Sequence, residues 1–182
     1  MTKKDKKKKF RKCCLRQLSK VSHHGKYVKD KKILNLIYQY IQVNKAKNIM
    51  LYLPLDIEFN TYPLILRLRK EKKMLYVPFM EGKSFSLVKY RLPEEKKQFG
   101  IKEPKFSRQY KKRMIDMAIV PVVGVDLTHR RVGFGKGMYD RFFEKYKQNI
   151  KQVVFVAREL CYSKEVVTDH YDVRADIIIT AR

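Results

Sequence analysis

The sequence contains few of the residues that mark several large classes of protein. Cysteine occurs three times in 182 residues, and two of the three are adjacent. A disulfide framework is therefore excluded, and a reducing compartment such as the cytoplasm is expected. No apolar run approaches the roughly 20 residues that span a bilayer, and the lysine-rich start is not followed by the apolar core of a signal peptide. These absences predict a cytoplasmic protein without a membrane partner.

Acidic residues are also scarce, since 18 Asp and Glu face 43 Lys and Arg, for a formal net charge of +25. Such a charge is typical of nucleic-acid-binding proteins, so a small basic protein of that class is the alternative function. No helix-turn-helix, zinc-finger or RNP-type segment is present, which argues against nucleic acid as a partner. Hydrophobic residues make up 45% of the chain, enough for the core of one domain, and a monomer is expected.

Apolar spacing predicts helices that alternate with short strands. Helical spacing begins at Phe10, after a basic start over 1–9 that is expected to fray. Later helices are predicted over 26–43, from Thr61 as the N-cap to about Lys72, and over 138–146. Short apolar strands are predicted near 49–53, 74–78, 85–90, 117–123, 153–156 and 177–179, with an extended connection over 91–113. The alternation predicts a single α/β domain over 1–182. Its open, mostly parallel sheet would carry helices on both faces in three layers, with further helices at the N-terminus.

The turn between the fourth predicted strand and the last helix carries the clearest chemical signal. Ligands of α/β sheets bind where a strand passes into a helix. Three glycines spaced two apart let backbone N–H groups approach an anion, and they are Gly133, Gly135 and Gly137. Arg131 and Lys136 add full positive charges, and Asp140 is placed to hold Mg²⁺ on the same phosphates. The spacing is neither a Rossmann nor a Walker motif, and three glycines alone also fit a plain turn.

This turn resembles the signature of the 5-formyltetrahydrofolate cyclo-ligase family in the run from Arg131 to Arg141, R-V-G-F-G-K-G-M-Y-D-R. Four further motifs of that family match in order: Lys7 with Arg11, Glu58 with Thr61, Gly100-Ile101-Lys102-Glu103-Pro104, and Asp169-x-x-Asp172 followed by Asp176. The resemblance covers nearly the whole chain. At three positions the chain departs from the family, because Val122, Met138 and Cys161 stand where a glycine, a tyrosine and a glutamine are usual.

The resemblance implies ATP- and Mg²⁺-dependent cyclisation of 5-formyltetrahydrofolate to 5,10-methenyltetrahydrofolate through a phosphorylated formyl group, with release of ADP and phosphate. The implied ATP-binding residues are Lys7, Arg11, Arg131, Gly133, Phe134, Gly135, Lys136, Gly137, Met138 and Tyr139. The implied folate-binding residues are Leu53, Glu58 and Tyr139, and the implied metal ligands are Asp140 and Asp172. Lys136 and Arg131 would act electrostatically, and no nucleophile is expected.

Several of these residues also have a plain structural interpretation. Lys7 and Arg11 lie in a lysine run, which is usually a solvated face, although their spacing puts both on one side of a helix. Glu58 also fits a surface loop, and Asp172 fits a cap or loop carboxylate. The Cys13-Cys14 pair is expected to pack on a helix face, because it is not the C-x-x-C of redox proteins.

Overall fold

A computed structural model describes residues 2–23, 25–97, 100–105 and 114–181. The helices of this part of the chain are α1 (Lys3–His23), α2 (Lys26–Val43), α3 (Tyr62–Lys70) and α4 (Met138–Tyr146). The strands are β1 (Asn48–Met50), β2 (Met74–Glu81), β3 (Ser84–Lys89), β4 (Glu94–Lys96), β5 (Lys102–Pro104), β6 (Ile115–Pro121), β7 (Gly124–Asp126), β8 (Arg131–Val132), β9 (Ile150–Val156), β10 (Tyr162–Ser163) and β11 (Ile177–Ile179). None of these helices has the length and apolar character that a membrane crossing requires.

The central sheet has six strands in the order β11-β9-β6-β1-β2-β3. Every neighbouring pair is parallel except β2 and β3, which form an antiparallel hairpin at one edge. In the middle of the sheet Met50 lies opposite Tyr76 on one side and Ala118 on the other. The predicted mostly parallel α/β sheet is therefore confirmed. Small separate ladders, β10-β7-β8 and β4-β5, flank it.

Alternate residues of each strand supply two cores on opposite faces of the sheet. Ile49 and Leu51 pack with α2 and α3, whereas Met50 packs with α4. The helices α2, α3 and α4 each present apolar side chains to the sheet, and in α2 and α3 these recur at the three- or four-residue spacing of one helix face. These side chains are Ile33, Ile37 and Ile41 of α2, Leu64, Ile65 and Leu68 of α3, and Phe142 and Phe143 of α4. Helices cover both faces, as predicted.

The start of the chain differs from the expectation that residues 1–9 fray. Residue 1 lies outside the described part, but α1 begins at Lys3 and continues without a break. Its basic first turns meet acidic partners near the other end of the chain: Lys3 lies 3.2 Å from Asp169, and Lys6 lies 2.7 Å from Glu165. Because these tertiary partners are far away in sequence, local pattern alone did not reveal them.

The connection expected over 91–113 also contains structure. β4 and β5 form a two-stranded antiparallel hairpin, while residues 98–99 and 106–113 of the predicted connection lie outside the described residues. The buried carboxylate of Glu103 accepts a hydrogen bond of 2.8 Å from the backbone N–H of Met80. This bond fixes the hairpin beside the end of β2.

Thr61 is not the side-chain cap of α3 that its position suggested. Its hydroxyl donates instead to the carbonyl of Tyr52 at 2.7 Å, and the preceding Asn60 accepts the N–H of Tyr62 at 3.1 Å. The buried hydroxyl thus joins the start of α3 to the segment that follows β1.

A buried aspartate organises the turn after β7. Asp126 accepts five hydrogen bonds, from the N–H and hydroxyl of Thr128, the N–H of Val167, and the N–H and hydroxyl of Thr168. Burial acts to raise the pKa of Asp126, but these hydrogen bonds outweigh it and lower the pKa to about 2. The carboxylate therefore stays ionised and joins the turn before the glycine loop to the segment at 167–168.

The cysteines differ from their sequence-based interpretation. Cys14 is buried on α1, as a helix-packing residue should be, but its sulfur is bonded to Cys161, 147 residues later. Cys13 is exposed and free. The expectation of three reduced thiols is therefore wrong for two of them, because a spacing of this length carries no local signal.

Candidate active site

The carboxyl ends of the parallel strands meet at one edge of the sheet, and the predicted site residues gather there. Leu53 and Glu58 follow β1, and Pro121 ends β6. The β2–β3 hairpin adds Met80 and Phe85 on the neighbouring side. Residues that are far apart in sequence thus line a common cleft.

The cleft is a cavity of about 340 Å³. Its walls are mostly apolar, with charged groups at a few points, as is typical of a site for a small organic ligand. The lining residues are Tyr52, Leu53, Leu55, Glu58, Pro78, Met80, Phe85, Ile101, Lys102, Pro121, Arg131, Phe134, Lys136, Gly137, Met138 and Tyr139. The cavity therefore combines the three predicted folate-binding residues with six of the ten predicted ATP-binding residues.

Glu58 is the acidic group of the cavity wall. Its Oε2 accepts a hydrogen bond of 2.8 Å from the N–H of Leu55, while its own N–H donates to the Leu55 carbonyl at 2.9 Å. Burial raises the pKa of Glu58 to about 7, although the Leu55 hydrogen bond and the positive charges of Arg131 and Arg158 act in the opposite direction. A carboxyl group in this position can be ionised or protonated near neutral pH, and a ligand with N–H donors would favour the ionised form.

Arg131 lies inside the wall, beneath the glycine loop. Its Nε donates to the carbonyl of Pro121 at 2.9 Å, and its guanidinium carbon lies 4.5 Å from the ring centroid of Tyr139. A Cβ added to Gly133 would overlap this guanidinium group. The close approach of Arg131 therefore favours glycine at position 133. The positive charge of the guanidinium group lies between the glycine loop and the cavity.

The glycine loop joins β8 to α4 and lies open to solvent on its outer side. Gly135 and Gly137 have φ values of +95° and +62°, a region that glycine adopts without steric cost. Phe134 and Lys136 lie on either side of Gly135 and line the cavity. The loop conformation explains why the sequence has glycine at both positions.

Arg141 supports the loop from α4. Its guanidinium group donates to the carbonyl of Lys136 at 2.6 Å and, through Nε, to the carbonyl of Lys83 at 2.8 Å. The loop is thereby joined to the turn between β2 and β3. The sequence placed Arg141 at the end of the glycine motif, but no role was predicted for it.

The N-terminal helix brings the two predicted cations, Arg11 and Lys7, to different parts of the site. Arg11 Nε donates to the Gly133 carbonyl at 2.7 Å, and its guanidinium group lies over Gly135. Lys7, one turn earlier, instead forms an ion pair with Asp172 at 2.5 Å and lies 3.9 Å from Asp169. Arg11 therefore contacts the candidate phosphate site directly, whereas Lys7 contacts the predicted metal ligand.

The two predicted metal ligands lie on neighbouring segments. Asp140 in the first turn of α4 accepts the N–H of Val173 at 3.5 Å, and Val173 directly follows Asp172. Asp172 is buried and accepts the N–H of Asp169 at 2.7 Å in addition to its Lys7 contact. Within the described residues no three His, Cys, Asp or Glu side chains form a group that could hold a metal by themselves. Mg²⁺ bound to phosphates needs only one or two carboxylates from the protein, and Asp140 and Asp172 would provide that number.

Part of the cavity wall was missed by sequence reasoning. Tyr52 and Leu55 follow β1, where a ligand site of this fold was expected, whereas Pro78 and Met80 lie in the second half of β2 and Phe85 at the start of β3. Their side chains are indistinguishable from core residues by pattern. For Tyr52 and Leu55, the position after a strand was the signal that could have identified them.

The model of the 5-formyltetrahydrofolate cyclo-ligase family matches residues 3–181. The chain is 33% identical over 147 residues to a 5-formyltetrahydrofolate cyclo-ligase of Haemophilus influenzae, covering 77% of this chain and 76% of that protein. It is 26% identical over 187 residues to a probable 5-formyltetrahydrofolate cyclo-ligase of Schizosaccharomyces pombe, covering 90% and 89%.

Solved structures show the same fold. A 5,10-methenyltetrahydrofolate synthetase of Aquifex aeolicus superposes with a TM-score of 0.80 at 29% identity, covering 97% of this chain and 90% of that one. A 5,10-methenyltetrahydrofolate synthetase of Mycoplasma pneumoniae superposes with a TM-score of 0.77 at 21% identity, covering 97% and 99%, and supports the fold. These similarities do not favour the nucleic-acid-binding alternative. The family match spans nearly the whole sequence, and the chain therefore belongs to the 5-formyltetrahydrofolate cyclo-ligase family.

Proposed function

We propose that this protein converts 5-formyltetrahydrofolate and ATP into 5,10-methenyltetrahydrofolate, ADP and phosphate, with Mg²⁺ on the phosphates. The observation that supports the proposal is that the cavity and the glycine loop adjoin each other. An apolar cavity with Glu58 in its wall opens directly onto a glycine loop flanked by Lys136 and Arg11. Location in the cytoplasm and a monomeric state of the protein remain predictions.

The cavity would hold the folate. Glu58 would orient the pterin ring by accepting its N–H groups, and Leu53 and Tyr139 would pack against the ring. Met138 stands where the family usually has a tyrosine, and its thioether still makes a favourable contact with an aromatic ring. The positive charge of Lys102 at the cavity wall suits the carboxylates of the folate tail.

The glycine loop would hold the triphosphate. Its N–H groups, the N-terminus of α4 and the charges of Arg11, Arg131 and Lys136 all favour an anion at this point. Mg²⁺ held by Asp140, with Asp172 beside it, would neutralise charge on the phosphates during transfer. Lys7 would act through Asp172 by fixing the position of that carboxylate.

The chemistry follows from placing the formyl group between the two sites. The formyl oxygen attacks the γ-phosphorus, and the bond to ADP breaks. N10 of the folate then attacks the activated formyl carbon and loses its proton to the departing phosphate, and the C–O bond breaks so that phosphate leaves with the former formyl oxygen. No protein nucleophile is required, because Arg131 and Lys136 contribute by positioning and charge.

An absorbance assay tests the proposal. Purified protein with 5-formyltetrahydrofolate, MgCl₂ and ATP is expected to form a product that absorbs in the near ultraviolet, and omission of ATP should abolish the signal. Phosphate release should match product formation one to one. Absence of product with all components present would refute the proposed function.

Lys136→Ala is expected to raise the ATP KM about 10- to 30-fold with a smaller change in folate KM, because one charge-assisted contact to phosphate is lost. Steady-state kinetics with each substrate varied in turn measure the effect. Lys145→Ala is the matched control, since it removes the same charge from the exposed last turn of α4. An unchanged turnover rate at limiting ATP would contradict the role of Lys136.

A further inference from the structure

We propose that Arg158 is a positioning residue that holds the loop carrying Glu58 and so determines how tightly the protein binds the folate. The inference rests on the folate-binding role proposed for Glu58. Neither the motifs of the family resemblance nor the cavity lining includes Arg158.

Arg158 follows β9 and is only 4% exposed. Its Nε and Nη2 donate to the two carboxylate oxygens of Asp30 on α2, at 2.7 and 2.9 Å. Its Nη1 donates to the backbone carbonyl of Asp56 at 2.8 Å. One planar guanidinium group thereby joins a helix, the end of a strand and the loop after β1.

The Asp56 carbonyl lies in the middle of the turn that fixes Glu58. Leu55, on one side of Asp56, donates its N–H to Glu58 Oε2, and the N–H of Glu58 returns to the Leu55 carbonyl. Asp56 itself is exposed, so the turn has solvent on its outer side and Arg158 on its inner side. Loss of the Arg158 contact would free the turn, and the carboxylate would lose its fixed direction into the cavity.

The same guanidinium group acts on Glu58 through charge. Arg158 and Arg131 are the cations that lower the pKa of Glu58 against its burial. Asp30 partly balances Arg158, and the phenols of Tyr52 and Tyr139 face the same carboxyl group. Arg158 thus favours the ionised form of Glu58 that would accept N–H groups.

A neighbouring ion pair provides a matched control. Lys29 on α2 lies 2.9 Å from Glu159, so it joins the same two segments one residue away from the Asp30–Arg158 pair. Breaking the Lys29–Glu159 pair tests whether any link between α2 and the end of β9 would have the same effect.

The first experiment compares Arg158→Lys with Lys29→Gln. Lysine keeps the charge but cannot bond Asp30 and Asp56 at once, so Arg158→Lys is expected to raise folate KM about 10-fold with ATP KM within twofold. Lys29→Gln should change neither KM. Equal changes in both KM values for Arg158→Lys, or the same folate effect in Lys29→Gln, would overturn the proposal.

A second measurement does not need activity. Asp30→Asn combined with Arg158→Gln removes both charges, so the double variant carries no unpaired buried ion and is expected to fold. The difference in unfolding free energy with and without Glu58→Gln, followed across pH, reports the titration of Glu58. Its midpoint should move to higher pH in the double variant, because the hydrogen bond from Leu55 and the positive charge of Arg158 both favour the ionised carboxylate, and an unmoved midpoint would refute the proposed action of Arg158 on Glu58. If the unsubstituted protein forms no methenyl product, the proposed function fails while this midpoint still tests Arg158.

Discussion

Glu58→Gln is expected to raise the folate KM about 100-fold while the ATP KM stays within twofold, because the two charge-assisted hydrogen bonds that we propose to the pterin ring would be weakened. Steady-state kinetics with each substrate varied in turn measure the split. Glu71→Gln is a suitable control, since Glu71 is a carboxylate at the end of α3 that bonds Tyr38 and Gln42 on the surface. Equal effects of Glu58→Gln on both KM values would contradict the role of Glu58.

The same variant is expected to alter the pH dependence. Since burial raises the pKa of Glu58 to about 7, the carboxyl must lose a proton to accept N–H groups below that pH. The folate KM of the unsubstituted protein should therefore increase up to about tenfold per pH unit below pH 7. Glu58→Gln should remove this dependence.

As pH rises, the free energy of unfolding should decrease, whereas the affinity for the folate should increase. The folded pKa of Glu58, about 7, is above its ordinary value of 4.5, so the folded state binds the proton more tightly than the unfolded state. The ionised carboxylate lowers stability as pH rises from 4.5 to 7, and the full cost is present above pH 7. After allowance for the solvent in the open cavity this cost is about 2 kcal/mol, and Glu58→Gln should recover it at pH 8 but not at pH 4. Urea unfolding of both proteins without ligand measures the difference.

Cys14→Ser is expected to lower the free energy of unfolding by about 3–5 kcal/mol under non-reducing conditions, because the disulfide to Cys161 closes a loop of 147 residues. The midpoint of thermal unfolding should fall by roughly 10–20 °C. ATP KM should also rise, since α1 carries Arg11 to the glycine loop.

Cys13→Ser is the matched control, because Cys13 is exposed and free on the same helix. It should unfold like the unsubstituted protein. Dithiothreitol should lower the unfolding midpoint of the unsubstituted protein to that of Cys14→Ser and leave the variant unchanged. After denaturation without a reductant, three reactive thiols per chain, rather than one, would show that the bond is absent.

Much of the fold could be predicted because its helices and buried strands carry periodic patterns. The bounds of α2 and α4 agree with the prediction, and glycines with positive φ, Gly25 and Gly137, directly precede them. β4 was missed because Glu94-Glu95-Lys96 has no apolar pattern. Glu94 is instead held by the hydroxyls of Tyr62 and Tyr90, at 2.7 Å each, and such tertiary contacts have no local signal.

The candidate site likewise contains residues that the sequence predicts and residues that it does not. The glycine loop and Glu58 belong to short motifs, so their positions could be read from neighbouring residues. Arg158 and the Cys14–Cys161 bond act across long separations, and nothing adjacent in sequence distinguishes them. Parallel topology brings such residues together, and only coordinates reveal which ones meet.

The placement of α1 has a consequence for synthesis of the chain. Its partners Gly133, Glu159, Cys161, Glu165 and Asp172 are all translated more than 100 residues after it. At roughly 5–20 residues per second, α1 waits several seconds or longer on the ribosome without its docking surface. Its many lysines keep that nascent segment hydrated and mutually repelling, which disfavours aggregation. The side of the cleft that contains the glycine loop and Arg11 would accordingly be the last part of the nascent protein to mature.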